Sequence, residues 1–408
     1  MNTLDKRFFL ESLSDVIDIS PSNYDLAVKR YNSVASYLQT RNIDADFYVQ
    51  GSFRLGTVIK PYKDDKDAAY DIDLVCQIRT PKHDMTPGEL KNKIGNVLKE
   101  SGVYGDITDE SRRCWTIEYA ENSGLGFHID VLPSVDEESL IKAKIASRMA
   151  EYSSLANAAI AITDKNDSDY RWTTSNPIGF ADYFDSVNAP FMRIIKPIQK
   201  KALFESNPGL YASIEAVPDQ LIRTALQRVI QILKYHRDVR FCKNPLYDDR
   251  PISMIITTLT AEIVKKHGFV AQDPYQLLQF VVTQLTKDAV LLDDRILNED
   301  SLNAMRGVRR DPSTKRWFIP NPVNPLENFA DKWNEPGSEK PKAFFQWIRW
   351  VEQDLVQGLV SFNESTMKTA LGEHVLNRAL EQYDMRIPKE PRVTVIDTPI
   401  TPSKPWMK

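Results

Sequence analysis

The chain has 408 residues, of which 42% are hydrophobic and 26% charged, as in a globular protein with a substantial core. Its formal net charge of −4 excludes a protein that binds nucleic acid through bulk positive charge. Cys76, Cys114 and Cys242 have neither zinc-ligand spacing nor the density of a disulfide scaffold, so we expect reduced thiols.

An amphipathic helix is predicted for residues 22–40, where apolar side chains recur at helical spacing and Ser22 is a suitable N-cap. The strand pattern FYVQ follows it and ends at Gly51 and Ser52. Glycine lets the backbone turn tightly beside a bulky anion, and the backbone N–H groups of such a turn bind phosphate together with a serine hydroxyl. Because the GK[ST] ending of a Walker loop is absent, the sequence predicts a phosphate-binding turn of another kind.

Two aspartates stand two residues apart in the predicted strand DIDLVCQI. Because successive side chains of a strand point to opposite faces, Asp71 and Asp73 share one face while Ile72 and Leu74 enter the core. Carboxylates roughly 6.5 Å apart on one face repel each other unless a cation lies between them. The pair therefore predicts a divalent cation site.

A third aspartate follows in a predicted hairpin. Residues 88–101 are predicted to form a helix, and after it RRCWTIEY and FHIDVLPS form antiparallel strands joined by the turn residues ENSGLG. Asp130 lies in the second strand, with Ile129 and Val131 on the opposite face. Three oxygen ligands on neighbouring strands suit Mg²⁺, and two such ions can hold the attacking and the leaving oxygen of a phosphoryl transfer.

The order of these motifs is specific. A GS turn, a D-x-D further along and a distant single Asp on a hairpin strand resemble the DNA polymerase β-type nucleotidyltransferases. Within that superfamily, QGSFRLGT followed by YDIDLVC most resembles the bacterial cGAS/DncV-like nucleotidyltransferases (CD-NTases) of anti-phage signalling systems, and NPVNPLENFADKW resembles a segment of their helical lobe. The resemblance implies an α/β (α+β) protein: a bilobal polymerase β-like nucleotidyltransferase with a small mixed or antiparallel catalytic sheet and a helical C-terminal lobe.

From residue 137 onward the pattern becomes mostly helical. The polar segment 164–177 is predicted to be a loop between the catalytic sheet and the helical part. The predicted helices cover residues 137–157, 188–205, 219–240, 251–267, 273–292, 340–361 and 364–383. We therefore divide the chain into a catalytic core with a spine helix at 1–160, a helical nucleotide-binding lobe at 161–385 and a proline-rich tail at 386–408.

The resemblance also assigns site residues. It makes Asp71, Asp73 and Asp130 the catalytic and metal-binding residues, and it assigns nucleotide binding to Gly51, Ser52, Thr57, Lys234 and Ser253. Lys234 would reach the donor triphosphate, although an exposed lysine near a helix C-terminus is the alternative. A nearby histidine, His236, is expected to be buried or capping rather than catalytic. Met254 stands where many relatives carry a base-stacking aromatic residue, so base stacking must come from elsewhere.

Two basic segments each have two interpretations. The residues of the first, Lys60, Lys63 and Lys66, either contact phosphates or belong to a solvated loop, since aspartates alternate with them. The second, residues 306–316, either clamps an acceptor nucleotide or a polyanion, or is a solvated loop.

The resemblance implies a metal-dependent enzyme that uses two Mg²⁺ or Mn²⁺ ions to join NTPs into a cyclic di- or trinucleotide and releases pyrophosphate. The expected substrates are ATP, GTP or both. The product would be a second messenger of bacterial anti-phage (CBASS) defence, with regulatory or C-terminus-modifying defence proteins as partners and no requirement for nucleic acid. Two alternatives stay open: nucleotide addition to RNA 3′ ends or to a protein, and a non-catalytic nucleotide sensor. The sequence has no leader pattern and no apolar run of membrane-spanning length, so we expect a cytoplasmic protein.

Overall fold

The computed structural model describes residues 4–60, 62–63, 66–67, 69–119, 126–166, 169–295, 297 and 307–386. A seven-stranded mixed sheet organises the first half of the chain, in the order β1-β4-β7-β6-β5, with β8 paired to β7 and β9 to β8. Strands β4 and β7 are parallel, whereas the other pairs of this sheet are antiparallel. Its strands are β1 Ala45–Gln50, β4 Tyr70–Ile78, β5 Thr108–Glu110, β6 Trp115–Tyr119, β7 Phe127–Asp136, β8 Ile160–Asn166 and β9 Asp169–Ser175.

Short two-stranded ladders and twelve helices complete the described part of the chain. The ladders are β2 Tyr62–Lys63 with β3 Lys66–Asp67, β10 Arg309–Arg310 with β11 Trp317–Phe318, and β12 Pro320–Asn321 with β13 Asn324–Asn328. The helices are α1 Lys6–Ile17, α2 Pro21–Thr40, α3 Gly51–Leu55, α4 Pro87–Lys99, α5 Ser139–Ala146, α6 Pro177–Ser206, α7 Ala225–Phe241, α8 Ser253–His267, α9 Pro274–Lys287, α10 Lys340–Val351, α11 Glu364–Leu371 and α12 Glu373–Arg386.

One face of the sheet packs against α2 and α4. Ile72 and Leu74 of β4 form a core with Leu38 of α2 and Ile94 of α4, and all four are 0% exposed. Thr86 fixes the start of α4 with a capping box, since its side chain accepts the Glu89 N–H and the Glu89 side chain accepts the Thr86 N–H. The opposite face of β4 and β7 is thereby left to the aspartates.

The helical lobe is a second core built around α7. Phe9, from α1, packs in this core although it precedes the sheet in the sequence. Inside it, the His236 ring accepts a hydrogen bond from Trp347 Nε1 at 3.2 Å and lies 2.9 Å from Asp354 Oδ2. Asp354 also accepts two hydrogen bonds from Arg240. His236 was predicted to be partly buried or capping, and the structure shows it fully buried, at 0% exposed.

Several element predictions are confirmed and three are wrong. The helices near 22–40, 88–101, 251–267 and 273–292 and the hairpin of β6 and β7 are present. Ser20, and not Ser22, caps α2, because its side chain accepts the Asn23 N–H. The predicted helix 137–157 is helical only over Ser139–Ala146, with a 3₁₀ segment at Ser153–Ala158. The predicted loop 164–177 instead contains β8 and β9, so the sheet extends past residue 160.

Other predictions meet the limits of the described residues. Among these residues, no helix has the length and apolar character needed to cross a bilayer. Residues 387–408, which make up nearly all of the proposed tail, lie outside the described part, as does Arg306 of the basic segment. In the rest of that segment, Arg310 pairs with Asp294 at 2.7 Å and lies over the Trp317 ring, so it stabilises the lobe.

Candidate active site

A row of paired residues crosses the centre of the sheet and carries two of the three aspartates. In order across β1, β4, β7 and β6 it contains Gln50, Asp73, Asp130 and Thr116. Asp71 lies two residues before Asp73 on the same face, as the strand period predicts. The Thr116 hydroxyl donates to Asp130 Oδ1 at 2.5 Å and fixes that carboxylate. The parallel pairing of β4 and β7 thus brings the D-x-D motif and the distant aspartate together.

Two features of the structure require glycine at position 51: its backbone conformation and the closeness of the Asp73 side chain. It opens α3 with φ at 60°, in the left-handed region. A Cβ atom at this position would overlap the carboxylate of Asp73. The glycine-serine turn therefore lies directly against the aspartates, so a phosphate bound at this turn would be beside them.

The three aspartates place several negative charges close together. Burial, followed by the charges of Asp130 and Asp71, raises the pKa of Asp73 to about 7. Burial also raises the pKa of Asp130, with Asp71 adding to the rise and the Thr116 hydrogen bond opposing it. Like charges in a site of low dielectric disfavour joint ionisation. The arrangement favours any ligand that brings positive charge.

His128 is the partner of Asp71 in the parallel ladder, and sequence reasoning did not select it. Its Nδ1 lies 3.6 Å from Asp71 Oδ1, and both side chains are partly exposed. The interaction with Asp71 raises the pKa of the imidazole, with burial opposing the rise. When protonated, the histidine places positive charge beside Asp71, the most exposed of the three aspartates.

Lys234 reaches this site from α7. Its Nζ is buried and donates to the backbone oxygen of Thr57 at 2.8 Å, which ties α7 to the segment after α3. Burial, followed by the charge of Arg237, lowers the pKa of Lys234 to about 8. The alternative of an exposed lysine at a helix end is wrong, because Lys234 is only 4% exposed.

Ser253 is the first residue of α8, and Arg237 holds it. The Arg237 guanidinium donates to Ser253 Oγ at 3.2 Å and to the Pro251 carbonyl at 2.8 Å. Arg237 lies three residues after Lys234, on the same side of α7, and that helical spacing was the signal by which the sequence could have revealed it. The side chains of Lys234 and Arg237 thus present two cations to one region.

A cleft of about 590 Å³ unites these groups between the sheet and the helical lobe. Seven of the eight predicted site residues line it: Gly51, Ser52, Asp71, Asp73, Asp130, Lys234 and Ser253. Thr57 does not, because its side chain is buried and it contributes the carbonyl that Lys234 contacts. Aromatic groups that could face a base come from Tyr62, Phe180, Tyr247 and Phe329. Cleft residues that sequence reasoning missed include Arg54, Arg113, Arg250 and Glu327.

The three aspartates fit a divalent cation in chemical type. Carboxylate oxygens are hard ligands suited to Mg²⁺ and Mn²⁺, and the raised pKa of Asp73 reports uncompensated charge at this point. In the residues that the structure describes, no three His, Cys, Asp or Glu side chains converge closely enough to hold an ion. Asp73 faces Gly51, Asp130 is held by Thr116, and Asp71 faces His128.

Comparisons with known proteins find a family and relatives of similar sequence. Residues 45–133 match the family described as "Cyclic GMP-AMP synthase DncV-like, nucleotidyltransferase domain". A c-di-GMP synthase of Roseivirga ehrenbergii is 22% identical over 84% of this chain and 76% of its own length. The cyclic dinucleotide synthase CdnG of Bradyrhizobium diazoefficiens is 22% identical over 80% of this chain and 70% of its own length.

Solved structures show the same fold. The CdnG structure of B. diazoefficiens in complex with GTP superposes with a TM-score of 0.67 at 19% identity, covering 93% of this chain and 99% of that one. CdnC of E. coli MS115-1, in complex with HORMA-deltaN, gives a TM-score of 0.56 at 12% identity, covering 91% and 98%. The family match and the two similar sequences make the chain a nucleotidyltransferase. Within that class, it is similar to CD-NTases: residues 45–133 match the DncV-like nucleotidyltransferase domain, and the fold is that of the CD-NTase CdnG.

Proposed function

We propose that this protein joins nucleoside triphosphates, ATP, GTP or both, into a cyclic di- or trinucleotide and releases pyrophosphate. The observation that carries the proposal is the set of three carboxylates on one sheet face, with Asp73 and Asp130 in register and Gly51 against them. Two relatives with similar sequences are named as a c-di-GMP synthase and a cyclic dinucleotide synthase, which favours a dinucleotide product. A pure nucleotide sensor has no need of crowded carboxylates.

Asp71, Asp73 and Asp130 would hold two divalent cations once their carboxylates turn toward one another, and these cations when bound neutralise phosphate charge and make the attacking hydroxyl more acidic. Asp130, whose carboxylate is fixed by Thr116, takes the proton of the acceptor ribose hydroxyl. A bond forms between that oxygen and the α-phosphorus of the donor while the bond to the β-phosphate oxygen breaks. A second, intramolecular transfer closes the ring.

Pyrophosphate leaves with its negative charge balanced by groups on both sides of the cleft. Ser52 on α3 and Ser253 on α8 can donate hydroxyl hydrogens to phosphate oxygens, and both line the cleft. Lys234 supplies a buried ammonium that already bridges α7 and Thr57. Such preorganised donors act mainly by positioning and charge stabilisation.

The test is to incubate the purified protein with all four NTPs and Mg²⁺, treat the products with phosphatase and analyse them by mass spectrometry. A phosphatase-resistant product with the mass of a cyclic oligonucleotide is expected, and it must be absent with the Asp73→Asn variant. A linear product, or extension of added RNA or protein, would replace the proposal with nucleotide addition to a polymer. Repeating the assay with Mn²⁺ and with EDTA tests the metal requirement.

We further propose that the product is a second messenger of CBASS anti-phage defence and that partner proteins regulate its synthesis. The CdnC structure is described as a complex with a HORMA protein, which makes such a partner plausible for a protein of similar fold. The expected outcome is that a strain carrying the wild-type protein and its neighbouring genes resists phage and that the Asp73→Asn strain does not. Equal resistance of the two strains would contradict a role for the product.

A further inference from the structure

One end of the cleft combines a cation and a carboxylate that the transfer reaction does not use. Glu327 of β13 and Arg113, just before β6, both line the cleft. The Asn321 side-chain amide donates to Glu327 Oε2 at 2.8 Å, and the Ser175 hydroxyl lies 3.3 Å from Glu327 Oε1. These contacts fix the plane of the carboxylate, whose two oxygens have room for further donors.

The ion pairs around Arg113 leave hydrogen-bond donors of its guanidinium unused. Its neighbour Asp164 accepts hydrogen bonds from Arg112 at 2.5 and 2.9 Å and from Arg171 at 3.2 and 3.1 Å. Arg113 Nε approaches Asp164 only to 3.7 Å, and within the described part of the chain this buried nitrogen makes no hydrogen bond. Three guanidinium groups therefore share one carboxylate, and Arg113 keeps its donors available.

The two side chains line the same cleft, and their charges interact. The charge of Arg113 lowers the pKa of the Glu327 carboxyl, against a larger rise caused by burial. Phe180 and Phe329 line the same cleft in edge-to-face contact, with ring centroids 6.3 Å apart. A planar ligand bound against these rings would thus meet both an anion and a cation of the same cleft.

Given the proposed function, on which this inference rests, we propose that Glu327 and Arg113 form a guanine-binding subsite. Guanine presents the donors N1–H and N2–H₂ next to the acceptors O6 and N7, the pattern that a carboxylate beside a guanidinium recognises. Adenine places the N1 acceptor in the middle of its edge, where it would face the carboxylate without a proton between them. The subsite therefore selects guanine over adenine by repulsion as well as by attraction.

Equilibrium binding in the presence of Mg²⁺ tests this subsite without turnover, with α,β-nonhydrolysable analogues of GTP, ITP and ATP as probes. Wild-type protein should bind the GTP analogue about 10- to 100-fold more tightly than the ATP analogue, with the ITP analogue, which lacks the 2-amino group, between them. In Glu327→Gln the GTP and ITP affinities should become equal within about 2-fold, while ATP affinity should rise because the repulsion between the carboxylate and adenine N1 is removed. The matched control Glu262→Gln, a carboxylate outside this cleft, should keep the wild-type order.

The outcomes separate this inference from the proposed function. Equal binding of GTP and ATP by wild-type protein, or an unchanged GTP-to-ITP ratio in Glu327→Gln, would overturn the guanine subsite even if a cyclic product forms. Guanine preference that Glu327→Gln removes would support the subsite even if the NTP assay yields no cyclic product. Because the wild-type comparison needs no variant, a Glu327 variant that fails to fold leaves the test intact.

Discussion

Helix α7 lies between two carboxylates with opposite surroundings. On its sheet side is Asp73, beside Asp130 and Asp71, with a pKa raised to about 7 by burial and by these two neighbours. On its core side is Asp354, which accepts hydrogen bonds from Arg240 at 2.7 and 2.8 Å and contacts His236. Burial raises the pKa of Asp354 too, but His236 and Arg240 lower it by more, so that its net pKa falls.

The difference indicates that the Asp354 carboxylate stabilises the fold, whereas the Asp73 carboxylate is arranged to bind a ligand. Breaking a buried ion pair leaves an uncompensated charge, so Asp354 is stabilising only while its partners remain. For Asp73 the charge of Lys234 opposes burial and the two acidic neighbours but does not offset them, and such an imbalance persists in proteins chiefly where function requires it. Mutations of the two aspartates should therefore have opposite effects on stability.

The largest effect is expected for Asp73→Asn. Turnover should fall by at least about 10³-fold, because one of the charges that balance the transferring phosphates is lost. The free energy of unfolding of the protein without metal should stay equal or rise, because the substitution removes repulsion with Asp130. NTP turnover and urea unfolding measure the two quantities, and normal turnover would contradict the assignment of Asp73.

Mg²⁺ should raise the melting temperature of the wild-type protein and leave that of Asp73→Asn nearly unchanged, since a ligand stabilises only the form that binds it. A thermal scan with and without EDTA makes the comparison. An equal rise in both proteins would place the cation at another site.

For Asp354→Ala we expect a loss of about 3–5 kcal/mol in the free energy of unfolding, since His236 and Arg240 keep their buried polar groups without the carboxylate. Chemical denaturation measures it, and activity per folded molecule should change little. A loss below about 1 kcal/mol would mean that water enters the core side of α7 and replaces the carboxylate as the hydrogen-bond partner of His236 and Arg240.

Glu262 is a half-buried carboxylate outside both sites, and it tests whether missing charge compensation alone costs stability. Burial raises its pKa to about 7, with Arg309 and Lys265 opposing the rise. A raised folded pKa means stability that is fully present below the unfolded value near 4.3 and is lost as pH rises through about 7. Glu262→Gln should therefore match wild type at pH 4 and exceed it by about 1–3 kcal/mol at pH 8. A pH-independent difference in unfolding free energy would contradict this.

The features of the fold and site that could be predicted from the sequence are those that depend on residues close together along the chain. The strand period was enough to place Asp71 and Asp73 on one face, because alternation is a property of the backbone itself. The loop prediction for residues 164–177 failed because β9 is an edge strand with a polar, partly exposed face, so its composition resembles that of a loop. The helix predicted over 137–157 was too long, since apolar spacing continues past Ala146, where the backbone leaves the helix.

Long-range properties were out of reach of the sequence. Glu327 lies in the segment NPVNPLENFADKW, which resembles part of the helical lobe of CD-NTases. Its proposed role in guanine binding depends on side chains from elsewhere in the chain, namely Asn321, Ser175 and Arg113. Three guanidinium groups, those of Arg112, Arg113 and Arg171, surround the single carboxylate of Asp164, which leaves donors of Arg113 available. These arginines come from parts of the chain that are distant in sequence from one another or from Asp164. No spacing along one chain reveals such a count.

The smallest effect is expected where charges are paired but exposed. Arg79 contacts Asp46 at 2.6 Å and Asp44 at 2.9 Å, distances as short as those around Asp354, while its own side chain is 59% exposed. Water and salt screen such pairs, and holding long side chains in place costs entropy, so Arg79→Ala should shift the melting temperature by less than about 2 °C. A thermal scan at low and high salt checks this. A larger, salt-sensitive shift would mean that pairing geometry, and not burial, sets the difference between Asp73 and Asp354.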